Sequence, residues 1–206
     1  MKNPILKHAS KTALTLIVFA FVGTLMLVTV FKITKAPIEA SEREARLMLF
    51  QQILPSSNYD NDLIKETRKI APNTQLGNQQ TSTAHIARHN GKAAGVILEA
   101  IAHDGYSGDI KLLIAIRADG SVSGVRVLAH KETPGLGDYI DVAHGNWIKL
   151  FNDESIQKSS VTQWQVKKDG GKFDYMVGAT ITPRAVVKAV HRALLYFEQN
   201  KAMLLA

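Results

Sequence analysis

Apolar residues recur in three different rhythms along the chain, and each rhythm predicts a different element. From Thr12 to Phe31 the sequence TALTLIVFAFVGTLMLVTVF carries no charge at all. At about 1.5 Å per residue, a helix of that length crosses a bilayer core of about 30 Å. The apolar run is too long for a cleaved signal peptide, and Val30-Phe31-Lys32-Ile33 offers no small-residue cleavage site, so a transmembrane helix is predicted. A juxtamembrane helix follows from Pro37 to Leu54, with Glu39, Glu42 and Glu44 near its start, Leu47, Phe50 and Leu54 on one side, and Pro55 as its stop. Ser56 to Ser82, rich in Asn, Gln and Thr, reads as a polar connection.

Between Thr83 and Leu128 the period shortens to that of strands. Ile110, Leu112, Ile114 and Ile116 alternate as one buried face, and Asn90-Gly91 and Asp119-Gly120 are hairpin turns, which together imply an antiparallel sheet. Gly105-Tyr106-Ser107-Gly108 joins two of its strands, and Pro134-Gly135 reads as a type II turn. Tyr139 to Phe151 predicts a short helix broken around Gly145. Val161 to Lys167 predicts a strand with Trp164 inward, after which Asp169-Gly170-Gly171 turns the chain back. From Arg184 the spacing returns to three and four: Val187, Val190, Leu194 and Phe197, with Val186 and Ala193 beside them, form the apolar stripe of a helix. Thr182 suits its N-cap and Pro183 its first position. The expected class is α+β: an N-terminal segment over residues 1–11, a span over 12–31, a juxtamembrane helix and connection over 32–82, and a sheet-and-helix domain over 83–206.

Charge and composition narrow the function. The net charge is +7, but Lys and Arg are scattered and aromatics make up 7% of residues, so no basic stripe interleaved with stacking rings marks a nucleic-acid surface. There is no cysteine, which excludes disulfides, thiolate metal sites and Cys-held iron–sulfur clusters; a redox role would need a bound cofactor. His130 and His144 have no second ligand at metal-binding spacing and read as surface histidines. Lys2, Lys7 and Lys11 before the span are matched by Lys32, Lys35, Arg43 and Arg46 after it, so the positive-inside rule leaves the orientation open.

The sharpest chemistry lies where the last helix begins. Gly178 and Ala179 let a backbone approach a ligand, the N-terminus of the helix favours an anion, and Thr180 and Thr182 place hydroxyls at its mouth. A capped helix behind a Gly turn explains the same residues without any ligand. The longer string Asp174-Tyr175-Met176-Val177-Gly178-Ala179-Thr180, however, resembles the flavinylation motif of FMN-binding domains, in which an Asp precedes Ser/Thr-Gly-Ala-Thr at fixed spacing. Val177 departs from that pattern, having no hydroxyl. A second string, Glu132-Thr133-Pro134-Gly135-Leu136-Gly137, matches the other signature of the same family, and Gly105-Tyr106-Ser107-Gly108 resembles its Gly-Tyr-x-Gly.

Over most of its length the sequence resembles the G-subunit family of Rnf (Rsx) electron-transport complexes. That resemblance implies a curved antiparallel sheet with helices, on the periplasmic side of a bacterial inner membrane. It also implies one covalent FMN per chain, joined to Thr180 by a phosphoester bond. A separate Mg-dependent flavin transferase, recognising Asp174, would attach it from FAD. Gly178, Ala179 and Thr182 would sit at the phosphate, the Glu132–Gly137 loop would lie against the isoalloxazine, and Tyr106 would stand nearby. The implied role is electron carriage beside other membrane subunits of the complex, with no catalytic site of its own. A membrane-anchored flavin-binding or scaffolding domain that does not pass electrons is the other reading of the same residues.

Overall fold

A computed structural model describes residues 4–206; residues 1–3, with Lys2 of the N-terminal charge flank, lie outside the described residues. Helix α1 covers Pro4–Ile53, followed by strands β1 (Thr67–Ile70), β2 (Ser82–His89), β3 (Lys92–Gly105), β4 (Gly108–Arg117) and β5 (Val122–Ala129), and by helix α2 (Ile181–Leu205). Contacts divide the chain into one unit ending at Arg46 and another beginning at Leu47.

From Pro4 onward the first unit is helix. Its best window of 18 residues has a mean hydropathy of 2.6 and none of it is buried, so the helix is long and apolar enough to cross a membrane. Thr12, Thr15, Thr29 and Thr34 each return the hydroxyl to the carbonyl four residues back, at 2.7–3.1 Å. That is how a polar side chain satisfies itself where water is absent. The helix runs on through Pro37, contrary to the separate juxtamembrane helix expected to start there. Proline removes one ladder bond, and the helix-favouring Glu39-Ala40-Ser41-Glu42-Arg43-Glu44-Ala45 behind it keeps the remaining bonds in register.

The second unit is built on a five-stranded antiparallel sheet whose spatial order is the chain order. Short turns enforce that order. Asn90 (φ 51°) and Gly91 (φ 74°) both adopt positive φ, the backbone of a type I′ hairpin turn, and Gly120 (φ 93°) serves the next hairpin. On one sheet face Ile110, Leu112, Ile114 and Ile116 are fully buried against Val186, Val190, Ala193 and Phe197 of α2. The other face carries a second core, in which Ile97, Leu113 and Ala115 meet Phe50, Ile53 and Leu54. A Cβ at Gly124 would lie 2.8 Å from the Ile53 Cα, so only glycine allows this approach. Buried Arg126 fastens the same end of α1, donating to the carbonyl and the side-chain oxygen of Gln52 at 3.0 Å each.

Three further expected elements differ. The polar connection contains β1, an edge strand whose single buried apolar residue, Ile70, gives no alternation to read. Tyr139 to Phe151 forms two 3₁₀ turns, Asp138–Ile140 and Trp147–Phe151, in place of a broken helix. Val161 to Lys167 contains a 3₁₀ turn, Val161–Gln163, in place of a strand, although Trp164 is buried as expected. Ring packing shapes this segment: Trp164 lies 5.3 Å from Phe173 and 5.2 Å from His191, centroid to centroid.

One surface tie is sensitive to pH. His103 on β3 faces an acceptor with each ring nitrogen: Nδ1 meets Asp109 Oδ1 at 2.8 Å and Nε2 meets the Gly77 carbonyl at 2.7 Å. Both contacts are made only by the doubly protonated ring, so the Asp109 bond first and the Gly77 carbonyl second raise its pKa. A raised folded-state pKa contributes stability that is complete below the unfolded value, about 6.5, and is lost as pH rises through the higher folded one. The urea midpoint of wild type should therefore exceed that of His103→Phe most below about pH 6.5. The gap should close on going to pH 9; a gap constant with pH would mean that this ring does not titrate.

Candidate functional site

Helix α2 begins at Ile181, with Thr180 (φ −84°, ψ −26°) at the N-cap and no side-chain cap bond. The first helical bond, Arg184 N–H to the Thr180 carbonyl, is 3.4 Å long. The amides of Ile181 and Thr182 precede it and point out of the helix mouth. Thr182, expected to be the cap, instead lies inside the first turn, 1% exposed, and donates its hydroxyl to Glu132 Oε2 at 2.5 Å. The physical reason is the buried partner: a carboxylate that is 5% exposed must be given donors, and this hydroxyl supplies one. The Ser107 N–H gives the other, at 3.1 Å to Glu132 Oε1. One carboxylate thus joins the β3–β4 turn, the loop after β5 and the first turn of α2. Gly137 makes room for it, since a Cβ there would come within 2.8 Å of Glu132 Oε2 and 2.9 Å of Thr182 Oγ1.

These segments enclose a cleft of about 180 Å³. Of the residues singled out from the sequence, Tyr106, Glu132, Thr133, Leu136, Gly137, Gly178, Ala179, Thr180 and Thr182 line it, joined by Ile181. Pro134 and Gly135 do not line it; they form the outer corner of the loop. The Leu136 N–H reaches the Thr133 carbonyl at 3.1 Å and Gly135 has φ 75°, the geometry of the expected type II turn. Asp174 also stands apart, paired with Lys167 at 2.5 Å while its carbonyl accepts from Trp147 Nε1 at 2.6 Å.

Between Asp174 and Thr180 the chain makes a tight turn. Met176 N–H donates to the Tyr139 hydroxyl at 3.2 Å, Ala179 N–H returns to the Met176 carbonyl at 3.0 Å, and Gly178 takes φ 93°. The turn puts Val177 at its tip, 86% exposed and outside the cleft. Tyr106 (69% exposed), Leu136 (46%) and Ile181 (46%) give the cleft an apolar rim. His130 accepts from the Glu132 N–H at 3.1 Å, and His144 lies 3.5 Å from Asp138; among the described residues no group of three His, Asp or Glu could hold a metal. Two contributors had no place in the expected site: Ser107, whose backbone amide donates to Glu132, and Ile181, which lines the cleft between Thr180 and Thr182. A larger hollow of about 370 Å³ borders the 77–82 loop and the His103 end of the sheet, away from all of these residues.

Residues 105–195, which supply every wall of the cleft, match the FMN-binding domain family, so the class that fold and site define is an FMN-binding domain. Residues 1–53 match the RnfG N-terminal region. The G-subunit of the ion-translocating oxidoreductase complex from Pseudomonas aeruginosa (strain UCBPP-PA14) is 47% identical over 95% of this chain and 92% of its own length. The G-subunits of the same complex from Aliivibrio fischeri (strain MJ11) and Shewanella baltica (strain OS223) are each 42% identical, over 95% and 99% of this chain and 93% and 94% of their own. The chain belongs to the G-subunit family of ion-translocating oxidoreductase complexes, and is thus one component of an electron-transport complex.

The tight fit around Glu132 is testable by itself. Gly137→Ala would drive a methyl between Glu132 and Thr182 and break a buried, charge-assisted hydrogen bond. A loss of about 1–3 kcal/mol is expected from urea unfolding. Wild-type stability in this variant would show that the loop yields without cost.

Proposed function

We propose that the chain is a single-pass inner-membrane electron carrier that holds one FMN covalently at Thr180. The N-terminal helix would anchor it, with residues 1–11 in the cytoplasm and the flavin domain in the periplasm. The observation that carries this reading is the position of Thr180: its side chain makes no cap bond, it lines the cleft, and it stands at the mouth of α2.

The residues suit the group. A phosphate ester on Thr180 would meet the outward amides of Ile181 and Thr182 and the positive end of the α2 dipole. Leu136, Ile181 and Tyr106 supply apolar surface for a flat ring, and the small Gly178 and Ala179 keep the wall beside Thr180 low. FMN, when bound, supplies reversible electron uptake and release. The chain supplies its attachment, orientation and electrostatic surroundings. Attachment would come from a flavin transferase acting on FAD: the Thr180 oxygen bonds to the flavin-side phosphorus, the bond to AMP breaks, and AMP leaves. Asp174, exposed and displaced from the cleft, suits recognition by that enzyme better than contact with the cofactor. A permanent bond has a physical rationale outside the cytoplasm, where a dissociated flavin would be lost. In the assembled complex the carrier would exchange electrons with neighbouring membrane subunits.

In-gel flavin fluorescence after denaturation, with the transferase coexpressed, tests the attachment. Thr180→Ala should be dark, because it lacks the only atom that forms the ester, while Thr182→Ala should stay fluorescent. A bright Thr180→Ala band sinks the assignment. Orientation is read separately: alkaline phosphatase fused after Ala206 should be active, and activity of a cytoplasmic reporter alone at that end would reverse the topology.

A further inference from the structure

The cleft contains one carboxylate. Glu132 is the sole Asp, Glu, Lys, Arg or His in its lining, is 5% exposed, and makes no ion pair among the described residues. Its two oxygens are held by neutral donors, the Thr182 hydroxyl and the Ser107 amide. Burying a charge without a counter-charge is costly, so a fold that retains one usually uses it. An amide side chain of the same size could tie the same three segments together by hydrogen bonds without that cost. Water screens a surface charge strongly, and a buried carboxylate is screened much less in its action on whatever shares its cleft.

We infer that Glu132 is the potential-setting residue of this site: its fixed negative charge opposes electron uptake by a ring bound in the cleft and holds that ring's midpoint potential low. The inference rests on the FMN reading above and adds a role for one side chain. Glu132 is a positioning residue as well, since it joins the turn carrying Tyr106, the Thr133–Gly137 loop and the first turn of α2. Thr182 sets how much of the charge reaches the cleft, because its hydroxyl draws electron density from Oε2. The charge and its hydrogen bond therefore act in opposite directions on the potential.

This opposition gives a test that simple loosening of the site does not mimic. Full-length protein is flavinylated by coexpression with the transferase, purified in detergent and titrated spectroelectrochemically. Glu132→Gln keeps the shape and can still accept from Ser107 and pair with Thr182, but has no charge. Its two-electron reduction equilibrium should shift toward reduced flavin by about tenfold or more, an increase of about 30 mV. Thr182→Val removes the donor; titrated at alkaline pH, where the carboxylate stays ionised without it, its potential should fall. Shifts of the same sign, or no shift in either loaded variant, overturn the inference. If Glu132→Gln does not fold, Thr182→Val decides alone, since an unchanged or raised potential there is equally fatal. Wild type that carries no flavin would instead sink the FMN reading.

Discussion

A carboxylate removed from water must be given donors, and at Glu132 that requirement fixes the geometry of the site. The donors come from Ser107 and Thr182, 25 residues before and 50 residues after it in sequence, so satisfying one side chain draws together parts of the chain that have no local reason to meet. Thr180 inherits its position from this arrangement. It stands two residues from a hydroxyl locked into the core, at the first turn of a helix that cannot slide while Thr182 is held. Gly105 and Gly137 complete the constraint, since added Cβ atoms would press on Glu132 from both flanks, at 3.0 Å and 2.8 Å.

The sheet provides the rigidity behind that point. Both of its faces are buried over part of their area, one by α2 and the other by the last turns of α1 with Leu54 and Leu63. The strands follow one another in space as in sequence, which places the β3–β4 turn and the loop leaving β5 at the same end of adjacent hairpins. A loop-built site gains precision when each loop leaves a fixed strand end. The close contact of Gly124 with Ile53, and the grip of Arg126 on Gln52, fix the end of α1 to the sheet within the same unit.

Electrostatics and hydrophobicity are separated across the cleft. The helix mouth, with its outward amides and the Thr180 hydroxyl, suits an anion. The exposed rim of Tyr106, Leu136 and Ile181 suits a flat apolar surface, and the single carboxylate lies beneath. Basic side chains on α2 are engaged elsewhere: Arg184 grips Asp169 at 2.5 and 2.6 Å, and Lys188 pairs with Asp104 at 2.6 Å. Among the described residues no Lys or Arg lines the cleft.

Features that depend on neighbours along the chain were legible in the sequence. The uncharged run from Thr12 to Phe31, the alternation of Ile110 to Ile116, the Asn90-Gly91 and Asp119-Gly120 turns and the stripe of α2 each state a local preference that nothing in the fold opposes. The family-like strings marked most of the residues that line the cleft, because each string is a contiguous piece of its wall. Contacts between distant segments set the rest. β1 is a strand because β2 offers it an open edge, although Thr67–Ile70 carries almost no apolar pattern. Val161 to Lys167 reads as a strand in isolation, yet it joins the sheet nowhere: Val166 bridges to Phe173, and ring packing around Trp164 holds the segment in a 3₁₀ turn and loop. Thr182 has the spacing of an N-cap, and a cap is the best use of a threonine when only the helix is considered. A buried carboxylate fifty residues away offers a stronger, charge-assisted bond, and a partner at that separation leaves no trace in local spacing.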